Sequence, residues 1–467
     1  MDRLLALTGR WSAGRGPLYL LLAARLRQLI EAGELPHGCL LPPDRRLAAA
    51  LAVGRSTVVA AYEVLRQEGR LERVQGSGTR VRAEPVAATS DAGRNPLFAH
   101  LLDHPDDGVL HLTCAAPDDL PPAFVAAHTR ALTELSGGLG IHPAGVPSLR
   151  AALADRYTAR GVPTTPDQIL VTTGAQQALA LLTRLLVAPG DTVVTETPTY
   201  PGAIELFRDA GAVLRTVPVT GDALDVDAFV AALRRYRPAL AYLTPSFHNP
   251  TGALLPGLAR QRLARVAADL RVPLVDDEVL VDLGFDERPV PVAAHAPDVL
   301  TVGSLSKLVW GGLRVGWVRA GAGTVGTLAR LRAMTDLGGN TLSQLAAAHL
   351  VADLDALRLH RVRLLRERHD HLVAALRTHL PDWRFAPALG GQTLWVELPG
   401  TDASVYAQAA LRLGVAVLPG SAFDPAGGGR SHLRMPFVAD PATLTEMVTR
   451  LAAAWEPSRA VAAAAVV

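Results

Sequence analysis

The stretch Val299-Leu300-Thr301-Val302-Gly303-Ser304-Leu305-Ser306-Lys307 runs from apolar and β-branched residues into two hydroxyls and a lysine. The apolar run predicts a buried strand, and the polar residues then lie beyond its carboxyl end. Comparable runs alternate with helical stretches along the chain, at residues 169–172, 192–194, 240–243 and 272–275. This alternation predicts an α/β fold with a large, mostly parallel sheet, whose functional loops follow the strand ends.

The sequence around this pattern divides into four parts, which we expect to be a small helical domain, a linker, the α/β body and a tail: residues 1–83, 84–108, 109–457 and 458–467. The linker is rich in Ala, Pro, Asp and Gly, and the tail is Ala-rich and expected to fray. Within the body, a helical stretch from about Thr324 to His379 precedes strands at 393–398 and 415–418. This order predicts a smaller C-terminal α+β subdomain.

Composition places the positive charge in the first of these parts. The whole chain has 46 Lys and Arg against 44 Asp and Glu, but residues 1–83 hold 13 arginines against 7 acidic residues. A basic block on a mildly acidic body indicates a polyanion reader joined to another function.

Several classes of protein are disfavoured by composition. Cys39 and Cys114 are the only cysteines and stand far apart, so we expect neither a disulfide framework nor a metal site. The run Leu18–Ala24 is too short to span a membrane, and the N-terminus lacks a secretory layout. We therefore expect a cytoplasmic protein without a membrane partner.

The basic block has the pattern of a winged helix-turn-helix. Apolar residues between Leu18 and Ile30 recur at helical spacing, Asp44 lies in a short second helix, and Gly54-Arg55-Ser56-Thr57 begins a third. Two β-like pieces at 71–74 and 79–81 follow. In such a domain the third helix enters the major groove of DNA.

Seven residues of this block are candidates for contact with double-stranded DNA. Arg55 can pair with guanine or clamp a phosphate, while Ser56 and Thr57 can donate to phosphate. Arg45 can touch the DNA backbone, and the slender tip Gly76-Ser77-Gly78 can approach it closely. Each residue alone has a simpler explanation as a solvated arginine or a hairpin glycine, but their order along the chain favours DNA binding.

The same block resembles the GntR-type bacterial repressor domain over most of residues 17–82. The resemblance rests on these elements: Pro17-Leu18-Tyr19, Gly33-Glu34-Leu35, Leu41-Pro42-Pro43-Asp44-Arg45, Thr57-Val58, Ala61-Tyr62 and Gly76-Ser77-Gly78-Thr79. Pro43 and Gly54 stand where that family usually has serines, which removes two side-chain donors or caps.

Lys307 is the only lysine, since the other 45 basic residues are arginines. Only a primary amine that can lose its proton forms a Schiff base with an aldehyde, and arginine cannot replace it. The lone lysine therefore indicates covalent chemistry, although a chance leftover is the alternative when Lys307 is taken alone.

The neighbourhood of Lys307 in sequence suits a phosphate. Ser304, Ser306 and Arg314 offer two hydroxyls and a guanidinium. The segment Thr173-Gly174-Ala175-Gln176-Gln177 lies between a strand and a helix, where backbone N–H groups and the helix dipole bind anions.

Three further residues suit an aromatic ring with a phenolic oxygen and a pyridine nitrogen. Asn249, in His248-Asn249-Pro250-Thr251-Gly252, can present its amide to the phenolic oxygen. Asp277 can keep the pyridine nitrogen protonated, and Tyr200 can stack on the ring. Each has an ordinary structural alternative, but together with the lysine and the phosphate-binding groups they indicate pyridoxal 5′-phosphate.

The body resembles the fold-type I aminotransferases over residues 109–457, and the interval from Asn249 to Asp277 is similar to theirs. The resemblance implies that Lys307 is the aldimine lysine, that Asp277 partners the ring nitrogen, that Asn249 contacts the ring hydroxyl and that Tyr200 stacks. It implies a phosphate cup made of Ala175, Gln176, Ser304, Ser306 and Arg314. It also implies that Arg434, in His432-Leu433-Arg434-Met435-Pro436-Phe437, takes a carboxylate of an amino compound.

Two departures from that family concern tyrosines. Glu278, Val279 and Leu280 stand where a tyrosine usually bonds the ring oxygen, and Gly140–Gly145 has no tyrosine to reach the partner subunit's phosphate. The first loss should change the acidity of the aldimine, and the second should weaken phosphate binding.

The domain order resembles the MocR subfamily of bacterial regulators. That resemblance implies a homodimer, head to tail, in which a pyridoxal phosphate-binding body senses the coenzyme itself or an amino compound through a Lys307 aldimine and alters DNA binding. Two alternatives stay open: a working aminotransferase that carries a DNA-binding domain, and a coenzyme-free dimerisation scaffold. The sequence alone does not predict whether the body catalyses transamination.

Overall fold

The computed structural model describes residues 8, 11, 17–31, 34–35, 39–67, 70–74, 78–81, 108–117, 119–220, 223–426 and 428–464. The chain forms two compact units, residues 1–94 and 95–467. The expected linker lies almost wholly outside the described residues.

The described part of residues 17–81 forms these helices and a two-stranded ribbon: α1 (Leu18–Glu31), α2 (Asp44–Ala50), α3 (Arg55–Gln67), β1 (Leu71–Val74) and β2 (Gly78–Val81). The strands pair antiparallel. Helices α2 and α3 meet at a bend of 119°, the geometry of a helix-turn-helix. Buried residues such as Leu26, Leu47 and Val58 form one core, so this unit has the winged arrangement that the sequence predicts.

The second unit is built on an eight-stranded sheet in the order β4-β11-β10-β9-β8-β5-β6-β7. Its strands are β4 (Ile169–Thr172), β5 (Thr192–Thr197), β6 (Val213–Thr220), β7 (Ala223–Leu224), β8 (Leu240–Leu243), β9 (Leu274–Asp277), β10 (Leu300–Ser304) and β11 (Gly316–Arg319). The five central strands β10, β9, β8, β5 and β6 run parallel, whereas β11 and β7 run antiparallel to their neighbours. The predicted α/β fold with a mostly parallel sheet is confirmed.

Helices cover this sheet, as long parallel strands require. In chain order after a short strand, β3 (Leu110–His111), they are α4 (Pro122–Glu134), α5 (Pro147–Ala159), α6 (Ala175–Leu186), α7 (Pro201–Asp209), α8 (Val226–Tyr236), α9 (Gly257–Leu270), α10 (Ala322–Ala333), α11 (Thr341–Ala352) and α12 (Leu354–His379). Two buried clusters of apolar residues, one on each face of the sheet, hold the layers together.

The C-terminal part forms a smaller α+β arrangement. A three-stranded sheet has the order β12 (Thr393–Glu397), β15 (His432–Pro436), β14 (Leu418–Pro419), and α13 (Ala403–Arg412) and α14 (Pro441–Ala464) pack beside it. The short β13 (Val415–Ala416) pairs parallel with β3, so the first described strand of this unit is bound to its C-terminal part.

The helical stretch predicted from about Thr324 to His379 consists of three helices, with breaks around Gly338 and at Asp353. The strand expected at 415–418 is two strands. Residues 459–464, expected to fray, continue the backbone of α14.

No single described helix is long and apolar enough to cross a membrane. Only the bent pair α2 and α3, taken together, has the required length and composition.

Candidate functional site

Lys307 lies just beyond the end of β10, where the alternation of strands and helices places functional groups. Its Nζ donates to the backbone carbonyl of Ala115, 192 residues earlier in the chain. Although part of the residue stays accessible, burial lowers the pKa of the amine. A lowered pKa raises the fraction of neutral amine, the form that attacks an aldehyde.

Asp277 is the last residue of β9 and lies level with Val302 of the adjacent β10, so the sheet brings its carboxylate near Lys307. The carboxylate is buried and accepts from the Tyr242 hydroxyl at 2.7 Å and from the Val279 amide at 3.1 Å. Burial raises the pKa of Asp277 to about 6, and the bond from Tyr242 opposes that rise. The group is therefore mainly ionised at neutral pH and suits a cationic ring nitrogen.

Arg434 of β15 is buried in the same cleft. It donates to the carbonyl of Thr113 and to the amide oxygen of Asn249, the latter at 3.4 Å. Because the oxygen of Asn249 accepts, its amide nitrogen is the donor that remains for a phenolic oxygen. The Nε of Arg434 is buried and has no hydrogen-bond partner among the described residues.

A phosphate cradle forms at the start of α6. Gly174 precedes the helix at φ +103°, and a Cβ there would lie 2.8 Å from the Arg314 guanidinium. No side chain caps this helix, so the amides of its first turn, which begins with Ala175 and Gln176, are left without a side-chain acceptor, as at anion-binding helix N-termini. Arg314 donates to the carbonyl of Thr173, which holds it over the cradle.

The remaining predicted residues lie around this cradle. Ser304 Oγ is 3.1 Å from Ser306 Oγ and also accepts from the Ser306 amide, which orders the loop before Lys307. Tyr200 donates to the side chain of Gln176 at 3.0 Å. Burial raises the pKa of Tyr200 to about 12, so the phenol stays neutral beside the cleft.

These observations fit pyridoxal 5′-phosphate. The crowded glycine cradle, the uncapped helix and Arg314 match a phosphate, the buried carboxylate of Asp277 matches a ring nitrogen, and the primary amine of Lys307, with its lowered pKa, matches an aldehyde. Bound there, the coenzyme would supply an electron sink next to an amino group.

Four of the predicted DNA-contact residues lie at the starts of α2 and α3. Arg45, Arg55 and Ser56 are exposed, and Thr57 is half-buried. Arg55 also pairs with Asp44 at 2.8 Å, a contact the sequence did not predict. Gly78 is exposed at φ +95°, whereas Gly76 and Ser77 lie outside the described residues.

Comparison with known families accounts for both units. Residues 18–81 match the bacterial regulatory proteins of the gntR family, and residues 109–451 match aminotransferase class I and II. The chain is 31% identical over 475 residues to YisV of Bacillus subtilis, an uncharacterized HTH-type transcriptional regulator, covering 95% of this chain and 96% of the relative. It is also 31% identical over 419 residues to the probable rhizopine catabolism regulatory protein MocR of Rhizobium meliloti, covering 81% and 84%.

The chain belongs to the MocR subfamily of GntR-type regulators. Like other MocR-type chains, it joins a DNA-binding domain to an aminotransferase-like one. Among solved structures its second unit is similar to LysN, the α-aminoadipate aminotransferase of Thermus thermophilus, in complex with N-(5′-phosphopyridoxyl)-L-leucine. That likeness has a TM-score of 0.72 at 32% identity and covers 78% of this chain and 95% of LysN.

Sequence reasoning missed several residues of the MocR-type site. The segment Thr113–Ala115 receives bonds from both Lys307 and Arg434, and Tyr242 holds Asp277. Tyr242 could have been identified from the sequence, because a tyrosine inside a fully buried strand needs a partner for its hydroxyl. No comparable feature identifies segment 113–115, apart from the presence of Cys114.

Proposed function

We propose that this protein is a DNA-binding regulator whose aminotransferase-like unit binds pyridoxal 5′-phosphate covalently at Lys307 and senses the coenzyme or an amino compound there. One observation carries the proposal. The only lysine of the chain, with a pKa lowered by burial, shares a cleft with Asp277 and Arg434, on the same chain as a GntR-type DNA-binding unit.

Each residue then has a defined task. Lys307 supplies the amine, Asp277 holds the ring nitrogen and Asn249 donates to the ring oxygen. Tyr200 lines the ring, and Arg434 receives the carboxylate of an amino compound. The phosphate contacts come from a larger set: Ala175, Gln176, Ser304, Ser306 and Arg314.

The same contacts suggest how occupancy reaches the DNA-binding unit. Lys307 and Arg434 both donate to carbonyls of segment 113–115, which follows β3 and the residues that connect the two units in sequence. A ligand that engages both groups removes two bonds from this segment. A ligand shifts a regulatory equilibrium only when it binds the two states with different affinities, here the states with segment 113–115 bonded to Lys307 and Arg434 and with those bonds broken.

Hydrogen exchange tests this coupling. The amides of Leu110 and Leu112 bond to carbonyls of Gly414 and Ala416, so their exchange reports on the segment. We expect faster exchange over residues 110–117 when coenzyme and a carboxylate-bearing amine are both present. Unchanged exchange under saturation would remove the segment from the mechanism.

We further propose a homodimer, head to tail. Apolar side chains are exposed on two loops that Thr341 joins by donating to the Gly140 carbonyl at 2.8 Å. Leu139 is 91% exposed and Met334 is 69% exposed. Further exposed apolar residues on these loops and on the end of α4 are Leu132, Leu135, Ile141 and Leu337. A contiguous apolar surface of this kind marks an interface, and a second copy of the chain is the occupant we expect.

The deciding experiment is reduction with borohydride in the presence of the coenzyme, followed by peptide mapping. We expect one label, on Lys307, and we expect operator binding measured by fluorescence anisotropy to change when coenzyme or amine is added. Absence of the label at saturating coenzyme would refute the proposal and favour a coenzyme-free scaffold.

A working aminotransferase is the second candidate, because Lys307, Asp277 and Arg434 occupy one cleft and the fold is that of LysN. Incubation with amino acids and a keto-acid acceptor separates the two. Many turnovers per site favour the enzyme, whereas a stable complex with the amine favours the sensor.

A further inference from the structure

Tyr242 lies inside the large unit with its side chain fully buried. Its position in β8 is level with Thr195 of β5 and Val275 of β9. Its ring meets Phe207 edge-on, with centroids 5.8 Å apart. Because a buried phenol needs a hydrogen-bond partner, the direction of its hydroxyl is fixed by what it can reach.

The partner that Tyr242 reaches is Asp277. The phenol donates to Oδ2 at 2.7 Å, while the Val279 amide donates to Oδ1 at 3.1 Å. The two donors hold the carboxylate from both sides and fix its plane. Thr244 Oγ1, at 3.5 Å from the phenol oxygen, is the other polar contact of the tyrosine.

We infer that Tyr242 is the positioning residue of the coenzyme site: its hydroxyl orients the Asp277 carboxylate and keeps it ionised, so that Asp277 can hold a protonated ring nitrogen. The inference rests on the proposed coenzyme function. It adds a residue that touches neither coenzyme nor substrate but acts through Asp277.

The physical reason is the environment of Asp277. Burial is the main reason that the pKa of this carboxyl is raised to about 6; the bond from Tyr242 opposes the rise, and the charge of Glu278 adds to it. Lys307 also favours the ionised form. Two further groups interact with Asp277 from neighbouring elements: Glu196 of β5 and Tyr200 before α7.

Losing the tyrosine hydroxyl therefore has a defined consequence. Without the donor, the carboxylate becomes a stronger base, and the proton shared with a ring nitrogen moves towards Asp277. Losing a hydrogen bond to the ionised carboxylate should raise the pKa of Asp277 by about one unit or more.

The test uses full-length protein loaded with pyridoxal 5′-phosphate carrying ¹⁵N at the ring nitrogen. In wild type we expect the ¹⁵N shift of a protonated ring through neutral pH. In Tyr242→Phe we expect the ¹⁵N shift at the same pH to move towards that of an unprotonated ring, because the shared proton passes to Asp277. Tyr406→Phe is the matched control, since that buried tyrosine donates only to the Leu451 carbonyl at 2.6 Å. An identical titration in wild type and Tyr242→Phe would overturn the inference.

A second measurement needs no coenzyme. The infrared band of the protonated Asp277 carboxyl, assigned by its absence in Asp277→Asn, should persist to a pH about one unit higher in Tyr242→Phe than in wild type. If wild type gives no label on Lys307, the proposed function fails, yet this band still decides whether Tyr242 controls Asp277. Phenylalanine keeps the ring that packs on Phe207. Should the variant nevertheless not fold, 3-fluorotyrosine at position 242, a stronger donor, should move both titrations in the opposite direction, and no movement overturns the inference.

Discussion

The variant Glu196→Gln should lose less stability than wild type as the pH rises from 5 to 8. Glu196 is buried in β5 and accepts from the Thr244 amide at 2.7 Å. Burial raises its pKa from the ordinary 4.5 to about 8. The neighbouring His248, 3.7 Å away, cannot supply a compensating charge, because burial lowers its pKa to about 4 and keeps it neutral.

The sign follows from proton binding. Between pH 4.5 and 8 the unfolded chain releases the proton of Glu196 while the folded chain retains it. Unfolding therefore becomes more favourable as pH rises, and the contribution present below pH 4.5 is lost by pH 8. A shift of this size corresponds to about 5 kcal/mol at most, since one pKa unit is about 1.4 kcal/mol.

Glutamine keeps an oxygen that can accept from the Thr244 amide and carries no proton to release between pH 5 and 8. We therefore expect Glu196→Gln to match wild type near pH 5 and to exceed its free energy of unfolding by a few kcal/mol near pH 8. Urea denaturation of coenzyme-free protein, followed by tryptophan fluorescence, measures the difference. Five of the six tryptophans lie beyond residue 108, so the signal reports mainly on the large unit.

Two comparisons make the result decisive. Asp276, whose pKa burial also raises to about 8, gives wild type and Glu196→Gln the same background slope, so only their difference counts. Glu446→Gln changes an exposed acid and should leave the slope unaltered, because exposed ion pairs contribute little. Parallel stability curves for wild type and Glu196→Gln from pH 5 to 8 would refute the argument.

Four further predictions follow from the site, the surface and the DNA-binding unit. Lys307→Arg should abolish borohydride-dependent labelling although it preserves charge, whereas a label elsewhere would contradict the assignment. Arg434→Lys should weaken binding of a carboxylate-bearing amine about 10-fold or more, read by spectral titration, with an amine lacking the carboxylate as control. Replacing Leu139 and Leu337 together by aspartate should give monomers in sedimentation velocity, and retained dimers would exclude this surface. Arg55→Ala should weaken operator binding and flatten its salt dependence by about one phosphate contact, and an unchanged slope would remove Arg55 from the interface.

The sheet was predictable because its strands carry uninterrupted apolar runs. At β9 the apolar run ends at Val275, and the strand continues through Asp276 to Asp277, the strand end that the sequence predicts for Asp277. Both acids are buried, and Asp277 accepts a hydrogen bond from Tyr242. Buried acids that continue an apolar run therefore indicate a functional residue or a specific partner.

The residues of the candidate site were predictable to the extent that they follow strand ends. Lys307, Asp277 and the start of α6 all do, and the topology alone brings them to one edge of the sheet. The contacts of Lys307 with Ala115 and of Arg434 with Thr113 join residues 192 and 321 positions apart. No local periodicity encodes such pairings, so only the folded chain shows them.

These long-range contacts bear on whether the site senses or turns over. Arg434 already donates to Thr113 and Asn249, so a carboxylate must displace existing bonds to bind, and the free energy of binding is partly used to release segment 113–115. Glu278, Val279 and Leu280 carry no phenol where the resemblance to aminotransferases implies a tyrosine that bonds the ring oxygen, so these positions do not offer that donor. An amine held in this site thus gains less stabilisation of the reacting centre and performs more rearrangement of the protein. Binding energy directed into conformational change in this way favours a sensor over a catalyst.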